Sequence, residues 1–177
     1  MLLDVPVRAL GPVNHLPLKI AMEAVAPAAW LEDAMRQKAF KQHVHTQSLV
    51  LLFSAEWPVN NVEKRSGWDL LSEPAMALID SIVAQHYPAG GKIIRAMLAK
   101  LLPGGVIAVH KDGHPSFAHS HRVHVPLVTN PKVEFVVRGE GHTLAEGVAY
   151  EISNLDFHSV RNTSADERVL FIFDYVV

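Results

Sequence analysis

The chain contains no cysteine among its 177 residues. A disulfide scaffold, an iron–sulfur cluster and a zinc ribbon are thereby excluded, and any metal must be held by histidine, carboxylate and water. Long hydrophobic runs are also missing. No window reaches the roughly 20 apolar residues that a membrane span requires. The opening stretch MLLDVPVRALGPVNHLPLKI is broken by Asp4, Arg8 and three prolines. It does not read as a secretory signal, and a cytoplasmic protein without membrane contact is expected. Neither sign of charge dominates: 16 basic against 18 acidic residues give a formal charge of −2. A general nucleic-acid binder would show a basic excess or stripe, so that class is set aside.

What is present is apolar residues, 49% of the chain against 19% charged. That balance suffices for a substantial core, and the length suits one domain over residues 1–177. Two halves differ in character. In residues 1–91, helical spacing is expected over 28–40, with Trp30, Ala34 and Met35 on one side. A second helix is expected over 72–87, with Ser72 as N-cap, Pro74 in the first turn and Met76, Ile79 and Val83 facing inward. QSLVLLFS (47–54) reads as a buried strand, and residues 55–69 as a loop. Residues 92–177 switch to short strands: KIIRAMLAKL, VIAVH, RVHVPLV, VEFVVRG, VAYEIS, DFHSV and RVLFIFDYVV, separated by Gly, Pro and Asn. The expected class is mainly β, a sandwich or barrel with N-terminal helices packed on one side.

Histidine is the residue in excess. Five of the eleven fall in GVIAVHKDGHPSFAHSHRVHVPL, residues 105–127. Strand geometry separates them, because residues i and i+2 share a face. His110 and Asp112 project together from the end of VIAVH, and His158 lies in a later strand. A lone His-x-Asp is common on solvated surfaces. Two histidines with one carboxylate, leaving other positions open, form the ligand set of non-haem iron(II) oxygenases. His119-x-His121 lacks the following glutamate that a cupin-type set needs, so His114, His119, His121 and His142 are expected on loops or rims. Arg122 and His124 share one face of RVHVPLV, and Arg168 opens the final apolar strand. A cation directed into a β-core requires an anion, and guanidinium suits a carboxylate gripped by two hydrogen bonds.

In that order, His110-x-Asp112, RVHVPL, HSVRN and RVLFIFD resemble the aspartyl/asparaginyl β-hydroxylase family. This is a branch of the 2-oxoglutarate- and iron(II)-dependent dioxygenases that includes bacterial free-proline hydroxylases. The resemblance spans residues 92–177 and implies a double-stranded β-helix, jelly-roll or cupin-like, with 1–91 as support. It implies Fe(II) held by His110, Asp112 and His158, and 2-oxoglutarate gripped at its far carboxylate by Arg168. Arg122 and His124 match the family's RxH element near the other end of that cosubstrate. The implied reaction consumes dioxygen, converts 2-oxoglutarate to succinate and carbon dioxide, and hydroxylates an unactivated C–H bond. Asp112 places the chain nearer the bacterial branch, since animal aspartyl hydroxylases lack this carboxylate. The expected substrate is an amino acid or peptide side chain, proline- or aspartate/asparagine-like. Because the chain ends just after its last strand, where free-proline hydroxylases carry a further helical region, another amino acid, a peptide side chain or a small metabolite is set beside free proline. Trp57, Asn60, Asn61 and Arg65, in the 55–69 loop, are the expected substrate contacts. The alternative is a cupin-like domain that senses a metal or small anion without turnover.

Overall fold

A computed structural model describes residues 3–34, 37–38 and 41–177. The early strands are β1 (Val7–Pro12), β2 (Thr46–Phe53), β3 (Glu63–Lys64) and β4 (Lys92–Leu101). They are followed by β5 (Val106–His110), β6 (His121–Val128), β7 (Val133–Val137) and β8 (Glu140–His142). The chain closes with β9 (Val148–Ile152), β10 (His158–Asn162) and β11 (Arg168–Val176). Among the described residues, the first half carries the α-helices α1 (Leu16–Glu23) and α2 (Trp68–His86), with residues 37–38 also helical. Seven strands form one antiparallel sheet in the order β1-β9-β6-β11-β4-β2-β3, and four form another, β5-β10-β7-β8. From β4 onward the chain passes back and forth between the two sheets, which is the double-stranded β-helix expected from the sequence.

Alternation along the strands creates two chemically different faces. Val169, Phe171, Phe173 and Tyr175 of β11, with Val123, Val125 and Leu127 of β6, join a core completed by Leu18 of α1 and by Leu71, Leu78 and Ile82 of α2. The opposite face of the same strands carries Arg168, Leu170, Ile172 and Asp174, and faces Phe135 and Val160 of the smaller sheet. The site is therefore a gap between sheets, with the helices behind one of them. A turn with Pro103 and Gly104 at its centre passes the chain between sheets. Gly104 has φ +67°, and the Gly105 amide donates to the Leu102 carbonyl at 2.9 Å. Few side chains other than glycine accept that backbone.

Several expectations are corrected. Of the helix expected over 28–40, the described residues show a 3-10 turn, Pro27–Leu31, at its start and helical residues at 37–38. Trp30 is buried there beneath the Lys100 ammonium, 4.3 Å from its ring centre. Met35 lies outside the described residues. Helix α2 begins at Trp68, not Ser72, and Gly67 is its N-cap. Pro74 sits inside the helix, tolerated because Leu71, Ala75, Leu78, Ile79 and Ile82 pack along its length. Met76 and Val83 only border that core. The 55–69 loop contains the short strand β3 and a cis Trp57–Pro58 bond. The first half also supplies β1, β2 and β3 to the large sheet. Among the described residues, no helix is long and apolar enough to cross a membrane.

The outer edge of the large sheet is tied by Glu151, which is 1% exposed. It accepts hydrogen bonds from Arg8 on β1 and pairs with His121 on β6. Burial and the nearby Glu151 charge together push the Tyr87 hydroxyl above its ordinary range. Removing the carboxylate leaves these donors unmatched. Glu151→Ala is expected to lower unfolding free energy by about 1–3 kcal/mol, measured by urea denaturation.

Candidate metal and carboxylate site

β5 and β10 pair antiparallel, with His110 directly opposite His158. That register brings their rings to 4.3 Å between centres. Asp112 follows β5, its amide donating to the Asn154 carbonyl at 3.3 Å. One ligand atom from each of His110, Asp112 and His158 falls within 4.8 Å of the others, the spread a single metal ion can bridge. The backbone sets both imidazoles for that task. His110 Nδ1 lies 2.8 Å from the Ala108 carbonyl, and His158 Nδ1 lies 2.9 Å from the Asp156 carbonyl. A carbonyl can only accept, so each Nδ1 carries the hydrogen and each Nε2 is left with its lone pair for a metal. Burial holds the His158 imidazole below the usual histidine range despite the nearby Asp112 charge, which also favours the neutral, ligating form.

Facing this cluster, the large sheet contributes cations. Asp174 on β11 stands opposite Arg95 on β4 and opposite Arg122 on β6, in register with both. Arg122 Nη1 donates to both Asp174 oxygens at 3.0 and 3.1 Å, and its Nε approaches Asp112 at 3.6 Å. Burial works against the Arg122 charge, but Asp174 and Asp112 outweigh it and hold the guanidinium above its usual range. Arg95 reaches Asp174 at 3.5 Å, the Ser116 hydroxyl at 2.7 Å and the Ser54 carbonyl at 2.9 Å. It thus pins the loop before β6 against the end of β2. His124 lines the cavity with its ring 6.0 Å from Phe135.

Arg168 is different. It is buried in the same cavity, and among the described residues no carboxylate pairs with it. Burial alone pushes its guanidinium down to about 9. A buried cation with no protein partner, walled by Leu170, Ile172 and Val160, has the chemistry of a receptor for an anion from outside. The residues present therefore fit both an N/O-bound divalent metal and a carboxylate cosubstrate.

The sequence-predicted residues divide cleanly. His110, Asp112, His158, Arg122, His124 and Arg168 line one cavity. Trp57, Asn60 and Arg65 do not line it. Trp57 stacks on His119, ring centres 4.7 Å apart, Asn60 bonds Glu56, and Arg65 pairs with Asp33 at 3.0 Å and with Glu63. His114 is more than a rim residue: its Nδ1 accepts the Ser116 amide and lies 3.2 Å from Arg95. His121 starts β6 instead of lying in the preceding loop, and His142 ends β8. Arg95, Asp174 and His43 were missed. The signal for the first two is a charge within an apolar strand, KIIRAMLAKL and RVLFIFDYVV, at the same phase as Arg168. His43 carries no such signal. It belongs to a 3-10 turn, Lys41–His43, and reaches His110 only through folding, ring centres 5.9 Å apart.

The architecture is that of the 2-oxoglutarate- and iron(II)-dependent oxygenases, within the wider cupin-like folds. More particularly, residues 73–177 match the model of the Aspartyl/Asparaginyl beta-hydroxylase family, and the chain belongs to that family. No curated protein sequence matches it. Similar solved structures support the fold. A nickel complex of the non-heme monooxygenase ThoJ has TM-score 0.58 at 15% identity, over 97% of this chain and 74% of that one. The 2-oxoglutarate complex of viral collagen prolyl hydroxylase vCPH, from Paramecium Bursaria Chlorella virus-1, has TM-score 0.54 at 10% identity, over 98% and 97%. An oxidoreductase of the 2OG-Fe(II) oxygenase family from Burkholderia pseudomallei has TM-score 0.55 at 17% identity, over 74% of this chain. This chain spans 66% of that protein's length.

Two outcomes test the electrostatics of the metal-free protein. Replacing Arg168 by Met removes an unpaired buried charge and keeps an unbranched apolar stem. Arg168→Met is expected to stabilise the fold by about 1–4 kcal/mol, seen as a raised Tm; a lowered Tm would contradict the unpaired state. The His158 shift sets a pH dependence. With the folded value below 6.5, the unfolded chain takes up a proton that the folded state refuses, so stability is present above that pH and lost as pH falls. Between about pH 7 and 5, the Tm of His158→Gln is expected to fall less steeply than that of the parent.

Proposed function

We propose that this protein is a 2-oxoglutarate- and Fe(II)-dependent dioxygenase that hydroxylates an amino acid or peptide side chain. The observation that carries this reading is the pairing of a three-residue metal cluster with the partnerless Arg168 in one cavity. Family membership supports the reaction class, and the carboxylate Asp112 supports iron(II) as the metal.

In this reading His110, Asp112 and His158 hold the metal through two Nε2 atoms and one carboxylate oxygen. The bound iron supplies the activation of dioxygen that couples oxidation of 2-oxoglutarate to hydroxylation of the substrate. Arg168 fixes the far carboxylate of the cosubstrate with its planar fork, and the released desolvation penalty adds to binding. Arg122 orients Asp112 through its Nε and is itself held by Asp174, so the carboxylate faces the metal in one rotamer. His124 lies beside the cosubstrate's near end. Leu170, Ile172, Phe135 and Val160 keep water away from the reacting centre.

Anaerobic Fe(II) with 2-oxoglutarate is expected to give a weak visible charge-transfer band. His110→Ala and His158→Ala should abolish it, whereas Arg168→Met should retain metal and lose 2-oxoglutarate affinity at least tenfold. Binding of metal and cosubstrate that is no better in the parent than in the histidine variants would sink the proposal. Succinate release separates turnover from the sensing alternative, which predicts none despite tight metal binding.

A further inference from the structure

Beside the metal cavity lies a second chamber of about 400 Å³, within the range that binds small organic ligands. The two share His43, His110, Asp112 and Arg122 as walls, so a molecule in the second chamber faces the metal cluster directly. Its remaining surface is of two kinds. Phe53, Met97 and Phe117 form an apolar wall. Arg95 sits between the two rings, 5.6 Å from the centre of Phe53 and 4.9 Å from that of Phe117.

The charges across both chambers do not balance. Among the described residues, Arg95, Arg122 and Arg168 are all buried against Asp112 and Asp174, while Lys100 of the metal cavity is paired with Glu167 at 2.9 Å, leaving one positive charge. A metal dication and the 2-oxoglutarate dianion cancel one another, so this excess persists in the loaded protein. Lys111 adds to it at the rim. An uncompensated charge in a low-dielectric interior favours a ligand of the opposite sign. The acid content is equally informative. Among the described residues lining the second chamber, Asp112 is the one carboxylate, and the proposed function commits it to the metal. No acid is left to receive a substrate ammonium, and an unmatched buried ammonium costs several kcal/mol.

We infer that the substrate is an apolar monoanion of low molecular weight. It is a carboxylic acid with a hydrocarbon body and with any amine blocked by acylation, not a zwitterionic free amino acid. Its body lies along Phe53, Met97 and Phe117, and its carboxylate answers the excess charge on the Arg95 side. This rests on the proposed function only in taking Asp112 as a metal ligand and 2-oxoglutarate as the dianion beside it.

The test is direct binding to protein loaded with redox-inert Zn(II) and saturating 2-oxoglutarate, read by titration calorimetry. The probes are N-acetyl-L-leucine, L-leucine and N-acetyl-L-leucinamide, with N-acetyl-L-phenylalanine as a second apolar acid. The acylated acids are expected to bind at least tenfold more tightly than either L-leucine or the amide. Met97→Gln, which keeps the shape and makes the wall polar, should weaken the better acid at least threefold. The 2-oxoglutarate affinity of the same sample reports whether that variant has kept its cosubstrate site. Equal affinity for acid and amide overturns the monoanion. Equal or tighter binding of L-leucine overturns the blocked amine, and failure of both acids to bind overturns the inference altogether. Failure of 2-oxoglutarate itself to bind the parent protein is a separate result, and it removes the proposed function along with what is built on it.

Discussion

A fully buried carboxylate, Asp174, sits between two guanidinium groups, and the working geometry of the protein depends on that arrangement. Alone it would be too costly to ionise inside the sheet. Its partners come from strands on either side, directly opposite in register, so β4, β11 and β6 are tied at one level. A slip of one residue in any one of these strands would turn its charged side chain to the helix-covered face, away from its partners. From this knot the order spreads outward. Arg122 extends it to the metal cluster through Asp112, and Arg95 extends it to the loop bearing His114 and Ser116.

The two sheets divide the chemistry. The small sheet presents the two histidines of the candidate metal cluster from neighbouring strands, oriented by backbone carbonyls. The large sheet presents cations, two of them sharing the single charge of Asp174 and one, Arg168, paired with no carboxylate among the described residues. Holding an unpaired guanidinium in the interior lowers stability in the ligand-free state. An anion bound beside it would recover that penalty, so in the proposed function cosubstrate binding is coupled to the stability of the fold.

Much of this was legible in the sequence because strands impose a period of two. That rule joined His110 to Asp112 and Arg122 to His124, and the later HSVRN and RVLFIFD segments completed the pattern. The same rule points to Arg95 and Asp174, each a charge at the inward phase of an apolar strand, although they were not singled out. Other features had no local sign. The 28–40 segment has the spacing of a helix, yet its start, Pro27–Leu31, is a 3-10 turn with Trp30 buried. Pro74 suggested a helix start, yet burial of the flanking stripe carries α2 past it. Arg65 is expected from its loop to contact substrate, but it pairs with Asp33 and Glu63 and does not line the metal cavity.

By itself the sequence determined which face of each strand would be polar, which residue types could hold a metal without thiolate, and the family to which the chain belongs. These are properties of neighbours along the chain, set by side-chain alternation and by ligand chemistry. Only the tertiary structure decided which polar faces meet. The crossing of β5 and β10 into one sheet and β4, β6 and β11 into the other sets who pairs with whom. That crossing leaves Arg168 without an acid, gives Arg122 two, and places His43 beside His110 across more than sixty residues of chain. Contacts between segments so far apart are selected by packing and charge matching in the folded interior, which no local pattern encodes.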